Sequence, residues 1–500
     1  MIRYTSERQL SLEGFTLPFG GKLNPENRWV KLGQTIPWDE LAKGYHKKMS
    51  ADRGRPAKNA RLVIGAVIIK HKLNLSDEET VLQIQENPYL QYFVGLSRYQ
   101  EEPAFAPSLF VEIRRRMGSE VFDAFEKAIL AEIEKSRKKV KEGNDNKPSH
   151  KGKLVIDATV AEQAIRYPTD LGLLNESREI TEKLIDELAN TSKVKKPRTY
   201  REQAKKRYLN LAKNKKPRKR LLRKGIRQQL QYLRRNLSHI DDLLDTFEKF
   251  PLPQRKQKQY WVVRHVYNQQ LSMYQNHAHR CDDRIVSIHQ PHVRPIVRGK
   301  AGCKTEFGSK ISVSLVDGIA LVDHLGWDAF NEGQDLQDQV EQYKARYGYY
   351  PESVLADGIY GTRDNRRYLK GEGIRFGGKP LGRPMKQTEL NAEQIKLAKK
   401  QRKQDALERI PIEGKFGQGK NGYRLNYIRA KTAKTSEAWI RAIFLVMNLM
   451  VLLRSLFALR METVKSTISR YFADQFSLVL YQLEWFALAI IAFAKPQMIF

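Results

Sequence analysis

The sequence predicts an α/β fold: a mixed sheet flanked by helices, preceded by an all-helical N-terminal domain and interrupted by a basic helical insertion. Three observations predict it. Apolar runs bounded by turn residues recur from residue 153 onward, as strands do. Residues 38–133 have helical periodicity. Residues 193–280 combine helical periodicity with a large excess of cations.

Composition restricts the class of partner. The chain has 500 residues, of which 41% are hydrophobic and 29% charged, which is enough for two or three domains. Its net charge of +33 indicates a polyanionic partner, with nucleic acid first and a membrane surface second. Two cysteines, Cys281 and Cys303, exclude a disulfide framework and fit a reducing cytosol.

The N-terminal domain is expected over residues 1–135, with a role in DNA binding or in docking and dimerisation. Its first residues have no apolar core, so we expect no signal peptide. Ser76 and the three acids after it are typical of a helix N-terminus, and Pro88 should end that helix. A polar linker at 136–152 follows.

The next region, 153–455, should contain the sheet. Its predicted strands are 153–160, 310–316, 318–324, 353–357 and 374–378, and its predicted helices include 173–189, 333–347 and 361–371. Asp317-Gly318 between two strands indicates a hairpin turn. We expect further helices over 456–500. The apolar runs 442–453 and 483–494 are shorter than the roughly 18–20 residues of a membrane span, so we read them as buried helices.

The basic block at about 193–280 interrupts this region. Between residues 193 and 264 it has 24 Lys or Arg against 5 Asp or Glu. Leu230, Leu233, Leu237 and Ile240 can share one helix face, which predicts a basic helical hairpin. An excess of one sign costs stability unless an anion neutralises it, so a DNA backbone is a better partner than solvent alone.

Three acids are candidate metal ligands: Asp157 and Asp357 end apolar runs, and Glu413 lies in R-I-P-I-E-G-K-F-G-Q-G-K (409–420). An acid at the end of a buried strand is costly unless a cation pairs with it. If the helix that precedes Pro411 continues past it, Arg409 lies one turn before Glu413 on the same face. Two divalent cations held by such acids can activate a water or a 3′-hydroxyl.

Other residues compete for these roles. Asp317 and Asp323 also end apolar runs, but we interpret Asp317 as a turn residue, and Asp170 as a turn or cap residue. A group of His and Cys side chains lacks clean zinc spacing, so DNA or backbone contacts are the preferred interpretation. That group comprises His277, His279, Cys281, His289 and His292. The segment 294–302 has three cations among glycines and could cradle phosphate or be a basic loop.

These residues carry a family resemblance. D-A-T-V-A-E-Q-A-I-R-Y-P-T-D (157–170) and A-D-G-I-Y-G-T-R-D-N (356–365) resemble the two aspartate segments of DDE transposases of bacterial insertion sequences, of the insertion-sequence-five type. Arg409, Glu413 and Lys420 match that family's Y-x2-R-x3-E-x6-K signature, with Ala406 at the tyrosine position. The N-terminal segments 54–62 and 86–96 are similar to the helical domain of these proteins.

The resemblance implies an RNase H-like domain with a five-stranded mixed sheet and a metal site of Asp157, Asp357 and Glu413. It implies two Mg²⁺ ions, with Mn²⁺ as a substitute, and hydrolytic nicking of element ends followed by attack of the freed 3′-hydroxyl on target DNA. The cations expected to contact DNA are Arg409, Lys415 and Lys420 near Glu413, Arg298 and Lys300 in the 294–302 segment, and Arg220, Arg223 and Arg227 in the basic block.

The expected partner is therefore double-stranded DNA, bound by a homodimer or larger assembly in the bacterial cytosol, with no membrane. Two alternatives stay open at this point. One is a non-catalytic DNA-binding protein derived from a transposase. The other is a metal-dependent nuclease that performs no strand transfer.

Overall fold

The computed structural model describes most of the chain, with several gaps. The described residues are 14–17, 21–47, 49, 56–138, 150–297, 305–383, 388 and 391–455. Some expectations fall outside them, namely those for Arg298, Lys300, Cys303, most of the 136–152 linker and the C-terminal helices at 456–500.

Within the described residues, seven α-helices precede the sheet, as the periodicity predicts. They are α1 (Arg28–Thr35), α2 (Trp38–His46), α3 (Ala60–Leu73), α4 (Asp77–Glu86), α5 (Pro88–Phe93), α6 (Leu109–Arg116) and α7 (Ser119–Lys138). The Ser76 hydroxyl accepts from the backbone N–H of Glu79 and caps α4, whose C-cap is Asn87. Pro88 is the first residue of α5, where its missing N–H costs nothing.

The sheet is mixed and β1 lies at its centre. Its strands are β1 (Lys153–Glu162), β2 (Arg294–Val297), β3 (Thr305–Val316), β4 (Ile319–Gly326), β5 (Ser353–Leu355) and β6 (Arg375–Phe376). On one side β1 pairs antiparallel with β3, whose other edge pairs antiparallel with β2 and β4. On the other side β1 pairs parallel with β5, which pairs parallel with β6. The mixed sheet is confirmed, but β2 was not predicted.

The basic block contains three helices, so the prediction of a two-helix hairpin is wrong. After α8 (Asp170–Ser192) come α9 (Arg201–Ala212), α10 (Lys219–Leu244) and α11 (Gln254–Gln275). The predicted apolar face of α10 is buried, and its leucines pack against Leu184 and Ile185 of α8 and Val263 of α11. These four helices therefore have a core of their own, and the cations of α10 lie around it.

Helices cover both faces of the sheet. The remaining ones are α12 (Leu336–Tyr347), α13 (Arg363–Gly371), α14 (Ala392–Gly417) and α15 (Ala433–Ser455). On one face, Leu154 and Ile156 of β1 pack with residues of α12 and α13. On the other face, Val155 of β1 and Leu355 of β5 share a core with α14, α15 and the N-terminal helices.

Helix α15 lies inside this second core. It is long and apolar enough to cross a membrane, but 78% of its most apolar 18-residue window is buried inside the protein. Its Trp439 ring packs against the buried His71 and lies beneath the cations of Lys70 and Arg114. These contacts join α15 to the N-terminal helices, which is the packing expected of a core helix.

Candidate active site

The register of two neighbouring strands aligns the two candidate aspartates. Val155 of β1 pairs with Leu355 of β5 in parallel register. Asp157 and Asp357 each follow two residues later, and the backbone of Asp357 is still extended. Side chains alternate along a strand, so both acids lie on the face of Val155 and Leu355, at the same end of the two strands.

Helix α14 covers that face and carries the third acid. Its Ile412 and Phe416 are buried in the core that contains Val155 and Leu355. The helix continues through Pro411. This meets the condition under which Arg409 lies one turn before Glu413 on the same face. Pro411 removes one backbone hydrogen bond from the helix, so packing and side-chain contacts must compensate.

Two ion pairs and a glycine hold α14 against the sheet. Arg375 of β6 donates two hydrogen bonds to the Asp405 carboxylate, at 2.6 and 2.8 Å. Lys153 at the start of β1 pairs with Glu408 at 2.6 Å. A Cβ on Gly377 would lie 2.5 Å from Leu355 Cδ2 and 3.3 Å from Asp405 Cβ, so this close approach requires glycine.

The guanidinium of Arg409 lies between two of the three acids. Its Nη2 is 3.1 Å from Glu413 Oε1, and its Nη1 is 3.9 Å from Asp157 Oδ2. The other carboxylate oxygen of Asp157 accepts from the backbone N–H of Ala158 at 2.8 Å. Asp157 and Glu413 therefore converge on one cation, although they come from distant parts of the chain.

The site is open on the side of Asp357 and Glu413. Asp357 is exposed and the Glu413 side chain keeps 55% of its exposure, whereas Asp157 keeps 17%. A Cβ on Gly358 or on Gly414 would meet no atom within 4 Å. A large ligand can therefore reach these acids without moving the backbone.

Tyr360 ends the short helical turn that follows Asp357. Its side chain is fully buried, and its hydroxyl has no hydrogen-bond partner among the described residues. Burial raises the pKa of Tyr360, and the nearby carboxylates of Glu332 and Asp157 raise it further. The phenol is therefore neutral at neutral pH, and its ring packs in the core that contains Leu154 and Ile156.

Comparison with known proteins identifies the family. A family model described as a transposase DDE domain matches residues 354–450, and a model described as a transposase domain matches residues 18–116. The chain is 33% identical over 151 residues to the uncharacterized protein ORF8 in the nfe locus of Rhizobium meliloti. The aligned segment covers 30% of this chain and 68% of that protein. The chain belongs to the DDE transposases of insertion sequences. No solved structure matches it.

Membership confirms the resemblance seen in the sequence. DDE transposases act on DNA and generally use divalent metal ions. The first family model begins within β5 and ends within α15, so it includes Asp357 and Glu413. The second covers helices α1 to α6.

The donor set of this transposase fits a hard divalent cation. Carboxylate oxygens are the ligands that Mg²⁺ and similar ions prefer, and the Arg409 guanidinium already marks a cation position between Asp157 and Glu413. As they stand, no three His, Cys, Asp or Glu side chains among the described residues are close enough to hold a metal ion. The backbone therefore aligns the acids, but their side chains do not form a closed metal site around Arg409.

Two other cations of the signature segment already have protein neighbours. Lys420 lies 3.4 Å from Glu306 and 3.8 Å from Glu162, at the start of β3 and the end of β1. Burial lowers the pKa of Lys415, and the Arg454 charge on α15 lowers it further. Ala406, at the tyrosine position of the signature, is exposed on α14, so the missing ring leaves no cavity in the core.

The three arginines predicted on α10 differ in their surroundings. Arg220 and Arg227 are exposed. Arg223 instead donates to the Tyr274 carbonyl at 3.1 Å and lies over the Tyr274 ring. Lys224, which the sequence analysis did not single out, is exposed between the other two. Because Arg220, Lys224 and Arg227 are four and three residues apart, they follow one face of the helix and are called the α10 row below.

The rival acids have structural roles. Asp317 and Gly318 both have positive φ, at 50° and 83°, and form the two-residue turn between β3 and β4, as predicted. Asp323 is buried and pairs with Arg346 at 2.6 Å. Asp170 begins α8 and pairs with Arg284 at 2.8 Å, so it ties α8 to the chain after α11.

The His and Cys group is dispersed. His289 lies 3.2 Å from Glu176, His277 lies 3.2 Å from an Arg223 nitrogen, and His292 packs edge-on against Trp327. Among the residues that the structure describes, this group forms no metal cluster. Burial lowers the pKa of His292 to about 4, with a further contribution from Arg294, so its ring is neutral at pH 7.

Proposed function

We propose that this transposase cleaves the ends of an insertion sequence and joins the freed 3′-hydroxyl to target DNA by metal-dependent phosphodiester transfer. One observation carries the proposal. Asp157 and Asp357 follow register-matched positions on adjacent parallel strands, on the face that α14 covers with Glu413. The exposure of Asp357 and Glu413 leaves room for a DNA strand at these acids.

The fold in this proposal is RNase H-like. Support comes from the strand order β2-β3-β1-β5-β6, with β4 also paired to β3. The central strand β1 is antiparallel to β3 and parallel to β5, and the acids lie on β1, just after β5 and on a helix. The proposed division is a helical N-terminal domain at 1–135, a linker at 136–152, a catalytic domain at 153–455 and C-terminal helices at 456–500.

Asp157, Asp357 and Glu413 are the proposed metal ligands. Two Mg²⁺ ions, or Mn²⁺ as a substitute, supply activation of a water or 3′-hydroxyl and stabilisation of the departing oxygen when bound. The chain's own part is to fix the three carboxylates around the scissile phosphate. Strand pairing fixes Asp157, and the anchored α14 fixes Glu413.

The basic insertion is the proposed DNA-tracking surface, and the α10 row is its best-supported part. Exposed cations on one helix face can follow a phosphate backbone, whereas Arg223 is held by Tyr274. Two copies of the chain, one at each element end, complete the proposed assembly. The bacterial cytosol is the proposed location of this reaction.

The test is strand cleavage of a labelled duplex that carries the element's own ends, in Mg²⁺. The proteins compared are the wild type, Asp357→Asn and a matched control, Asp317→Asn. The control changes the same group in a turn whose positive φ asparagine tolerates. We expect Asp357→Asn to bind DNA as the wild type does and to lose at least 100-fold in cleavage, on the order of one transition-state interaction. Asp317→Asn should cleave normally.

The other outcomes separate the alternatives. Normal cleavage by Asp357→Asn contradicts the assignment of Asp357 as a ligand. DNA binding without cleavage by the wild type contradicts the enzymatic proposal. Cleavage with no joined product, when target DNA is present, limits the protein to nuclease activity.

A further inference from the structure

We infer that Arg409 is an exchangeable counter-ion: it neutralises the catalytic acids when metal is absent, and it moves to a DNA phosphate when metal enters. This inference rests on the proposed function, because it takes Asp157 and Glu413 as metal ligands. The observation behind it is that one guanidinium lies 3.1 Å from Glu413 Oε1 and 3.9 Å from Asp157 Oδ2.

A metal ion and Arg409 require the same oxygens. A divalent cation must contact carboxylate oxygens of Asp157 and Glu413, and the guanidinium lies 3.1 Å from one such oxygen of Glu413 and 3.9 Å from one of Asp157. Arginine does not lose its proton in proteins, so it cannot make way by becoming neutral. It has to move.

The side chain can move more easily than the helix that carries it. The Arg375–Asp405 pair, in which the Asp405 side chain is 2% exposed, holds α14 to β6. Arg409 itself is 27% exposed and its contact with Asp157 is longer than a hydrogen bond. Exposed or half-exposed ion pairs contribute little to stability, so a bound metal ion can release the guanidinium.

A phosphate is the natural second partner of the released guanidinium. Arginine binds phosphate through two parallel hydrogen bonds, as it binds carboxylate. The acids lie where a DNA strand has to pass, so a phosphate beside the site offers Arg409 a replacement anion. DNA should then raise the affinity for metal, and metal should raise the affinity for DNA by the same factor.

A purely structural role makes the opposite prediction. If Arg409 only fixes α14 and Glu413, its removal loosens the site and weakens metal binding. If Arg409 competes with the metal, its removal strengthens metal binding. The sign of one measured change therefore separates the two roles.

The experiment measures Mn²⁺ binding to the full chain without DNA, from the electron paramagnetic resonance signal of free Mn²⁺. Arg409→Gln should bind Mn²⁺ about 5- to 30-fold more tightly than the wild type, the factor that corresponds to 1–2 kcal/mol. Arg409→Lys retains the charge and should stay close to the wild type. The matched control is Arg402→Gln on the same helix, whose guanidinium donates to the Ala398 carbonyl, and it should change nothing.

A second arm repeats the titration with a duplex that ends at the cleaved terminus of the element. Wild-type Mn²⁺ affinity should rise with this duplex toward that of Arg409→Gln, and the variant should gain less. Equal or weaker Mn²⁺ binding by Arg409→Gln, with an unchanged urea unfolding midpoint, overturns the inference. If Arg409→Gln is unfolded, the test rests on Arg409→Lys. A difference of 5-fold or more between the Mn²⁺ affinities of Arg409→Lys and the wild type then overturns the inference.

Failure of the proposed function gives a different result. In that case Mn²⁺ binding by the wild type is unaffected by Asp157→Asn and by Asp357→Asn. If both substitutions abolish binding while Arg409→Gln leaves it unchanged, the metal site stands and only the exchange is wrong.

Discussion

Replacing Asp405 with asparagine should detach α14 from the sheet without changing the shape of the side chain. The Asp405 carboxylate is 2% exposed and accepts two hydrogen bonds from Arg375 and one from Gln401. Burial by itself raises the pKa of Asp405, but the hydrogen bonds from Arg375 and then Gln401 outweigh it, so the net shift is downward. The ionised form is therefore the one that stabilises the folded chain.

The expected loss follows from these contacts. Hydrogen bonds to charged groups contribute about 1.5–3 kcal/mol, but asparagine keeps one acceptor, and Arg375 is 42% exposed and can return to water. We therefore expect Asp405→Asn to lower the free energy of unfolding by about 2 kcal/mol. A displacement of about 1 Å at Glu413 can cost on the order of 100-fold in rate, so cleavage should fall by about 10- to 100-fold.

The assay combines urea unfolding with cleavage of the labelled duplex, at pH 7. The control is Glu408→Gln, which removes the more exposed pair with Lys153 and should cost less than about 1 kcal/mol. Because the folded-state pKa of Asp405 is lowered, its contribution is present above the unfolded value of 3.8 and is lost as pH falls below it. The difference between variant and wild type should shrink there. A variant with normal stability and cleavage at pH 7 refutes this anchoring of α14.

Two further predictions concern charge. Burial raises the pKa of Glu126 from its ordinary value of 4.5 to about 7; the charge of Arg346 opposes this shift and the charge of Asp323 adds to it. Between pH 4.5 and about 7, Glu126 therefore holds a proton in the folded chain but not in the unfolded chain. The free energy of unfolding falls as pH rises through this range. Glu126→Gln should be about 1–2 kcal/mol more stable than the wild type at pH 8 in thermal melts, whereas the exposed Glu134→Gln should be neutral. Glutamine at all three positions of the α10 row should reduce the slope of log affinity against log salt by about 2 to 3, and Arg223→Gln should leave it unchanged.

Most elements of the fold could be predicted from the sequence because their signals are local. The apolar run that became β1, the Asp317-Gly318 turn and the Ser76 cap each depend on neighbouring residues only. The strand β2 could not be found this way, because its four residues include a proline and its Ile296 alone is buried. The third helix of the basic block was missed because charge, not apolar spacing, dominates that segment.

The sequence could propose the three acids of the candidate site, but it could not give the contacts between them. Asp157 and Asp357 end apolar runs, and this local cost indicates a bound cation. The position of Arg409 between Asp157 and Glu413 depends on α14 crossing the end of β1, which no spacing in the sequence gives. The same holds for the bond from Arg223 to the Tyr274 carbonyl, which gives Arg223 surroundings different from those of the α10 row.

The three acids differ in how firmly the fold holds them, and this difference indicates which parts of the site rearrange. Asp157 lies on β1, which is paired on both sides. Glu413 lies on a helix fixed through Asp405, and Asp357 lies just beyond a three-residue strand, in the open. The backbone of the site is thus largely set before any ligand arrives. Side chains are left to move, and the Arg409 guanidinium lies between two of the three acids. Metal and DNA should therefore assemble this site by exchanging ion pairs, with little change in the path of the chain.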